Sequence, residues 1–228
     1  MKQLVQSLKN EGTILIDSEI PKVSRGKLLI KTISSLVSTG TEKMLVDFGA
    51  AGYINKARQQ PDKVKQVIEK IKTDGVAATF DAVKSKLDMP IQLGYCNVGK
   101  VCEVGNGVKG FEIGDIVVSN GSHSEYVLVS ENLCSKVPES VSTDDAVFTV
   151  LSSIALQGIR LSNPSIGEIF SVMGLGLVGQ LAVQILLANG CKVVAFDFNK
   201  ERVEFAKKSG ADAFLLTDNF DPVSEALL

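Results

Sequence analysis

Six residues between two apolar runs, Gly174, Leu175, Gly176, Leu177, Val178 and Gly179, carry the spacing G-x-G-x-x-G. The segment IFSVM before them reads as a strand, and QLAVQILLANG after them as a helix. In that setting each glycine has a task. The first permits a tight turn, the second lets backbone approach a pyrophosphate, and the third lets the helix pack closely on the strand. Free N–H groups at the helix start then face the anion. A second strand, 192–196, leads to Asp197, 18 residues beyond Gly179, where a carboxylate accepts from both hydroxyls of a ribose. That carboxylate repels a 2′-phosphate, so the pattern favours NAD(H) over NADP(H). Arg202 can soften this preference or lie along the adenine. The helix ERVEFAKKSG and the strand AFLLTD complete a β-α-β-α-β mononucleotide-binding half. The plain alternative is a buried α/β unit whose glycines serve packing and whose Asp197 caps a helix.

The rest of the inventory excludes more than it offers. A single histidine, His123, rules out any site built on two imidazoles. The four cysteines, Cys96, Cys102, Cys134 and Cys191, include no C-x-x-C pair and read as reduced thiols in a cytoplasmic protein. A net charge of −2 leaves no electrostatic footprint for nucleic acid or an anionic membrane. The N-terminus MKQLVQSLKN has no apolar core of a secretory signal. The apolar stretch 169–188 carries the three glycines, Gln180 and Gln184, and reads as a buried strand–turn–helix rather than a membrane span.

The elements that position these groups fall into two regions. LVQSL, TILIDSEI and KLLIKTISSLVS within the first 42 residues read as β, and 43–87 as helical. Val64, Val67, Ile68 and Ile71 make one helical stripe, ended by Asp74-Gly75. Val76, Phe80, Val83 and Leu87 make a second, stopped by Asp88 and Pro90. Strand character returns in IQLGYCNVGKVCEVG, IVVS and SEYVLVS, with glycines as turn punctuation. Ser142 or Thr143 starts a helix through DDAVFTVLSSIALQGIRL. The expectation is a β-barrel-like domain over 1–144 with a helical insertion at about 43–89, then the first half of a doubly wound parallel sheet over 145–228.

The segments NGVKGFEIGDIVVS, HSEYVLVSENLCSKVPESVS, GLGLVG, VVAFD and RVEFAKKSGAD resemble the medium-chain dehydrogenase/reductase superfamily, alcohol-dehydrogenase-like proteins with a GroES-like domain. STGTEK, KARQQPDKVKQVIEKIKTDG, LGYCNVGKV and TVLSSIALQGIRL further resemble the dehydrogenase half of two-module oxidoreductases, in which a Gfo/Idh/MocA-like dehydrogenase follows in the same chain. Those are associated with bacterial surface-polysaccharide synthesis. The resemblance implies a GroES-like barrel followed by a Rossmann domain, an NAD(H) cofactor, and a small-molecule substrate such as a sugar or sugar nucleotide.

Where zinc-dependent relatives hold their metal, the matching places here fall at Thr39 (or Ser38), at Tyr95-Cys96 and at about Thr149. Catalytic zinc needs three N, S or O⁻ ligands, hydroxyls are poor substitutes and Cys96 is one possible ligand standing alone, so no zinc is expected. The resemblance groups Tyr95, Thr39, Thr41, Glu42 and His123 around the substrate. Tyr95 can donate a proton or pack against the glycines, and Glu42 can exchange protons. His123 can handle protons or face solvent from its loop. Ser153 matches a position near the nicotinamide in relatives, or bonds its own helix backbone. The basic segment 55–73 is a solvated face or a docking face for an anionic sugar nucleotide. The expected function is a zinc-independent, NAD(H)-dependent oxidoreductase. A non-catalytic NAD(H)-binding module and a quinone- or enoyl-type reductase are the other readings. Only 61 residues run from Glu168 to Leu228, too few for the usual six strands. A C-terminally truncated chain is therefore expected, with an exposed sheet edge open to homo-oligomerisation.

Overall fold

The computed structural model describes residues 1–8, 12–50, 58, 61–75 and 89–217. The chain divides into two compact units, Met1–Val147 and Phe148–Leu228, against the 144/145 boundary expected from sequence.

The first unit is built on two antiparallel sheets. β1 (Lys2–Gln6) lies between β2 (Thr13–Asp17) and β4 (Ile91–Gln92). The larger sheet runs β7 (Tyr126–Ser130), β3 (Lys27–Ser35), β5 (Asn97–Val104), β6 (Ile116–Ser119) and β8 (Cys134–Lys136). Leu28, Ile30, Val101, Val117, Val127 and Val129 form its core, all β-favouring or strongly apolar. Each contributes about 1.5–3 kcal/mol by leaving water. Register shifts between Leu29/Ile30 and Thr32/Ser34 bend β3 and bring Ser35 opposite Asn97.

Helix α1 spans Thr39–Ala50 and α2 spans Pro61–Asp74. Helix thus begins at Thr39, ahead of the start at 43 expected from sequence. The reason is local: Glu42 reaches back one turn to accept the N–H of Ser38 at 2.7 Å, satisfying a donor the helix start leaves open. The expected stripe of Val76, Phe80, Val83 and Leu87 lies outside the described residues. The β segment from Ile91 is two strands, separated by the loop 93–96. The expected helix from Ser142 is also two, α3 (Thr143–Ala146) and α4 (Thr149–Ser162), with Ser142 capping the first through the N–H of Asp145.

The second unit opens with α4, ended by Asn163 in the left-handed conformation just before Pro164. β9 (Ile169–Met173), α5 (Leu177–Ala188), β10 (Lys192–Asp197), α6 (Lys200–Lys208) and β11 (Asp212–Leu215) follow, and the sheet is parallel in the order β11-β10-β9. Val183, Val193, Ala195, Val203, Ala206 and Ala213 fill its core, the alanines letting backbone approach closely. Met173 pairs with Phe196, so Gly174 and Asp197 emerge side by side at the carboxyl ends of adjacent strands, where open α/β sheets bind ligands.

None of the four cysteines forms a disulfide. Cys96 and Cys191 are buried, whereas Cys102 and Cys134 are half-buried. Burial pushes the Cys134 thiol up to about 11. Among the described residues no helix is long and apolar enough to cross a membrane.

Candidate nucleotide loop and barrel polar cluster

In the second unit the chain leaves β9 through Gly174 at φ +89°, a left-handed conformation that disfavours any side chain. The Gly174 N–H donates to the carbonyl of Phe196 at 2.8 Å, tying the turn to β10. A Cβ on Gly176 would meet nothing within 4 Å. One on Gly179 would run into the carbonyl oxygen of Gly174. The first space is therefore open to a ligand, and the second is closed by the fold itself. Helix α5 starts inside the motif, at Leu177, and no side chain caps it. The first-turn N–H groups of Leu177, Val178 and Gly179 are left to an anion or to water.

Asp197 closes the other side. It is buried, and its two oxygens accept from the N–H of Leu175 at 2.6 Å and of Asn199 at 2.7 Å. Burial alone would raise its pKa. The backbone N–H groups of Leu175 and Asn199, and then the Arg202 guanidinium 3.8 Å away, outweigh burial and hold the carboxyl below its ordinary value. Each oxygen keeps a lone pair for a further donor. The helix cap is Asn199, accepting from the Arg202 N–H, not Asp197. These residues fit a dinucleotide: an open glycine turn, free helix N–H groups and an ionised acceptor beside them. Ser153, exposed on α4, donates to its own backbone at Val150.

In the first unit the structure brings Glu42, Tyr95 and His123 together from three separate segments. His123 is buried rather than solvent-facing, with Nε2 2.9 Å from Glu42 Oε2 and Nδ1 2.7 Å from Ser35 Oγ. Glu42 is also buried, and the N–H of Ser38 occupies its other oxygen. The imidazole thus bridges a carboxylate at Nε2 and a hydroxyl at Nδ1. Gly94, at φ +87°, lies against the imidazole; a Cβ there would stand 2.7 Å from the ring. Tyr95, half-buried, donates its hydroxyl to Ser38 Oγ at 2.8 Å and lies 3.3 Å from Thr41 Oγ1.

Thr39 is exposed at the first residue of α1, outside this cluster. Ser38, offered by the sequence only as an alternative to Thr39, joins Tyr95 to Glu42, and Ser35 was not singled out at all. A Ser three or four residues before a Glu at a helix start is the signal that could have found Ser38. The places matching the zinc ligands of relatives carry hydroxyls and a single thiol, Cys96, and the hydroxyls of Ser38 and Tyr95 are bonded to one another. That donor set does not fit zinc. Among the described residues no three His, Cys, Asp or Glu side chains cluster as metal ligands. A cavity of 490 Å³ opens elsewhere in this unit, beside Gln3, Lys27, Gln92, Ser122 and Tyr126, and touches neither Glu42 nor Tyr95.

Comparison with known proteins matches residues 64–139 to the alcohol dehydrogenase GroES-like domain and residues 178–227 to the zinc-binding dehydrogenase domain. An alcohol dehydrogenase of Moraxella sp. (strain TAE123) is 26% identical over 216 residues, covering 78% of this chain and 64% of that protein. A D-guloside 3-dehydrogenase of Escherichia coli (strain K12) is 34% identical over 125 residues, covering 53% of this chain and 36% of that protein. The structure of a short chain alcohol dehydrogenase from E. coli CFT073, complexed with cofactor NADH, superimposes with a TM-score of 0.73 at 22% identity, covering 100% of this chain and 65% of that one. The chain thus spans less than two thirds of the length of each of these proteins. The two domain matches follow one another in chain order, one within each compact unit, and the fold of the chain is that of the alcohol-dehydrogenase-like proteins it resembles, a GroES-like domain and a parallel Rossmann-like sheet.

Proposed function

We propose that this protein is an NAD(H)-dependent oxidoreductase that works without zinc and moves a hydride to or from a small or carbohydrate-type carbonyl or alcohol. The observation that carries the reading is the open turn at Gly174 and Gly176 beside the ionised Asp197. Bound NAD(H) supplies or accepts the hydride. The N–H groups of Leu177, Val178 and Gly179 hold the pyrophosphate, and Leu175 anchors the loop through Asp197. Asp197 takes the ribose hydroxyls, with Arg202 alongside. In the barrel unit Tyr95 gives its proton to the developing alkoxide, its hydroxyl held ready by Ser38 and Thr41. The buried Glu42–His123 pair lies behind it through Ser38, Glu42 exchanging protons, and Thr39 offers a surface hydroxyl to the substrate. The hydroxyl pair on Ser38 and Tyr95 supports zinc independence. The names of the relatives support an alcohol or sugar substrate. A fused second dehydrogenase module belongs to the same reading.

Titrating the intact protein with NADH and NADPH, followed by nucleotide fluorescence, tests this. NADH is expected to bind at least about 10-fold tighter than NADPH. Asp197→Ser is expected to weaken NADH about 10- to 100-fold, the loss of about 1.4–2.8 kcal/mol of ribose recognition. Equal or tighter NADPH binding removes the role given to Asp197. Failure to bind either nucleotide removes the function.

A further inference from the structure

Asp197 does not stand alone at the end of β10; it belongs to a closed circuit. Leu175 N–H donates to Asp197 Oδ2, and Asn199 N–H to Asp197 Oδ1. Asn199 Oδ1 accepts from the Arg202 N–H at 3.1 Å. The Arg202 carbonyl accepts from Gln180 Nε2 at 2.7 Å, and the same nitrogen lies 3.4 Å from the carbonyl of Leu175, where the circuit began. Gln180 is the one member that is neither in the glycine turn nor in the segment 197–202. It ties the first turn of α5 to the first turn of α6.

The amide of Gln180 is there for its nitrogen. Its oxygen is buried with no partner among the described residues. A methionine would fill similar space without that uncompensated acceptor. The oxygen is tolerated because Nε2 holds two carbonyls. Those two carbonyls belong to Leu175, whose N–H fixes the Asp197 carboxylate, and to Arg202, whose guanidinium lies against it.

We propose that Gln180 is a positioning residue for cofactor selectivity, closing a hydrogen-bonded ring that holds the Asp197 carboxylate forward and the Arg202 side chain against it. NADH and NADPH differ at the 2′ position, the atom these two residues address. With the ring closed, the carboxylate meets a 2′-hydroxyl and repels a 2′-phosphate. With it open, the first turn of α6 shifts, Arg202 is released to pair with a phosphate, and the carboxylate loses its fixed place. This rests on the cofactor reading above.

The test is NADH and NADPH titration of the intact wild type, of Gln180→Met, which keeps length and loses the donor, and of Gln180→Glu, which keeps size and shape. The expected result is NADH binding weakened about 5- to 10-fold in both variants while NADPH binds as before or tighter, so that the selectivity ratio falls at least 5-fold. Gln180→Glu serves as the second reading should Gln180→Met lower the thermal stability of the nucleotide unit. Loss of both nucleotides in proportion, or no change in either, overturns the proposal and leaves a merely structural strut. A wild type that binds neither nucleotide ends the cofactor reading itself, which is a different result.

Discussion

Gly179→Val is expected to abolish NADH binding and to lower the melting of the second unit, whereas Gly176→Ala is expected to lose affinity alone. The difference lies in what each new atom meets. At Gly179 a Cβ collides with the Gly174 carbonyl oxygen, and the carbonyl carbon lies 3.0 Å away. Neither can retreat. The Gly174 N–H is bonded to Phe196, and the next residue, Leu175, is 1% exposed in the core. Overpacking against fixed backbone costs about 1–3 kcal/mol for a methyl and more for a branched side chain. At Gly176 a Cβ meets open space at φ −69°, which any residue adopts. Alanine there leaves the fold intact and occupies the room a pyrophosphate needs. Calorimetry and NADH titration of both variants separate the effects. Wild-type affinity in Gly176→Ala would contradict the position given to the pyrophosphate.

The second large effect is in the barrel. Glu42→Ala is expected to destabilise the first unit by about 2–5 kcal/mol, since each buried donor left without its acceptor costs about 1–3 kcal/mol. Two buried donors lose their acceptor at once, Nε2 of His123 and the N–H of Ser38. At about 2–4 °C per kcal/mol for a domain of this size, the thermal transition falls by roughly 10 °C. Glu42→Gln keeps an acceptor for Ser38 and is expected to lose less. A Glu42→Ala protein melting within a degree or two of wild type would mean the pair contributes nothing to the fold.

These two regions differ in how far they could be read from the residues alone. The nucleotide loop is contiguous: strand, glycines, helix, strand and acid follow one another over 169–197, and every spacing is local. Its second unit accordingly folds as the pattern implies. The ring through Gln180 was not visible, because a glutamine on a helix carries no signal until a second helix is placed beside it. The barrel cluster was half visible. Glu42, Tyr95 and His123 were each candidates, but Glu42 and His123 are 81 residues apart in the chain. Nothing local reveals that two loops and a helix start bury them together. The start of α1 was misplaced for a related reason. Ser-Thr-Gly-Thr has poor helix propensity, and the side chain of Glu42, folded back onto Ser38, satisfies a donor at the helix start that the residue types do not announce.

The cysteines have a practical consequence for anyone wishing to attach a reporter. A thiol held near 11 is almost wholly protonated at neutral pH, so Cys134 presents little of the nucleophile that a maleimide needs. Cys96 and Cys191 are sequestered from reagent by the two cores. That leaves Cys102, on β5, as the thiol a reagent meets first. A fluorophore or spin label placed there would sit in the barrel unit without any substitution. The opening of that unit could then be followed separately from nucleotide binding in the other.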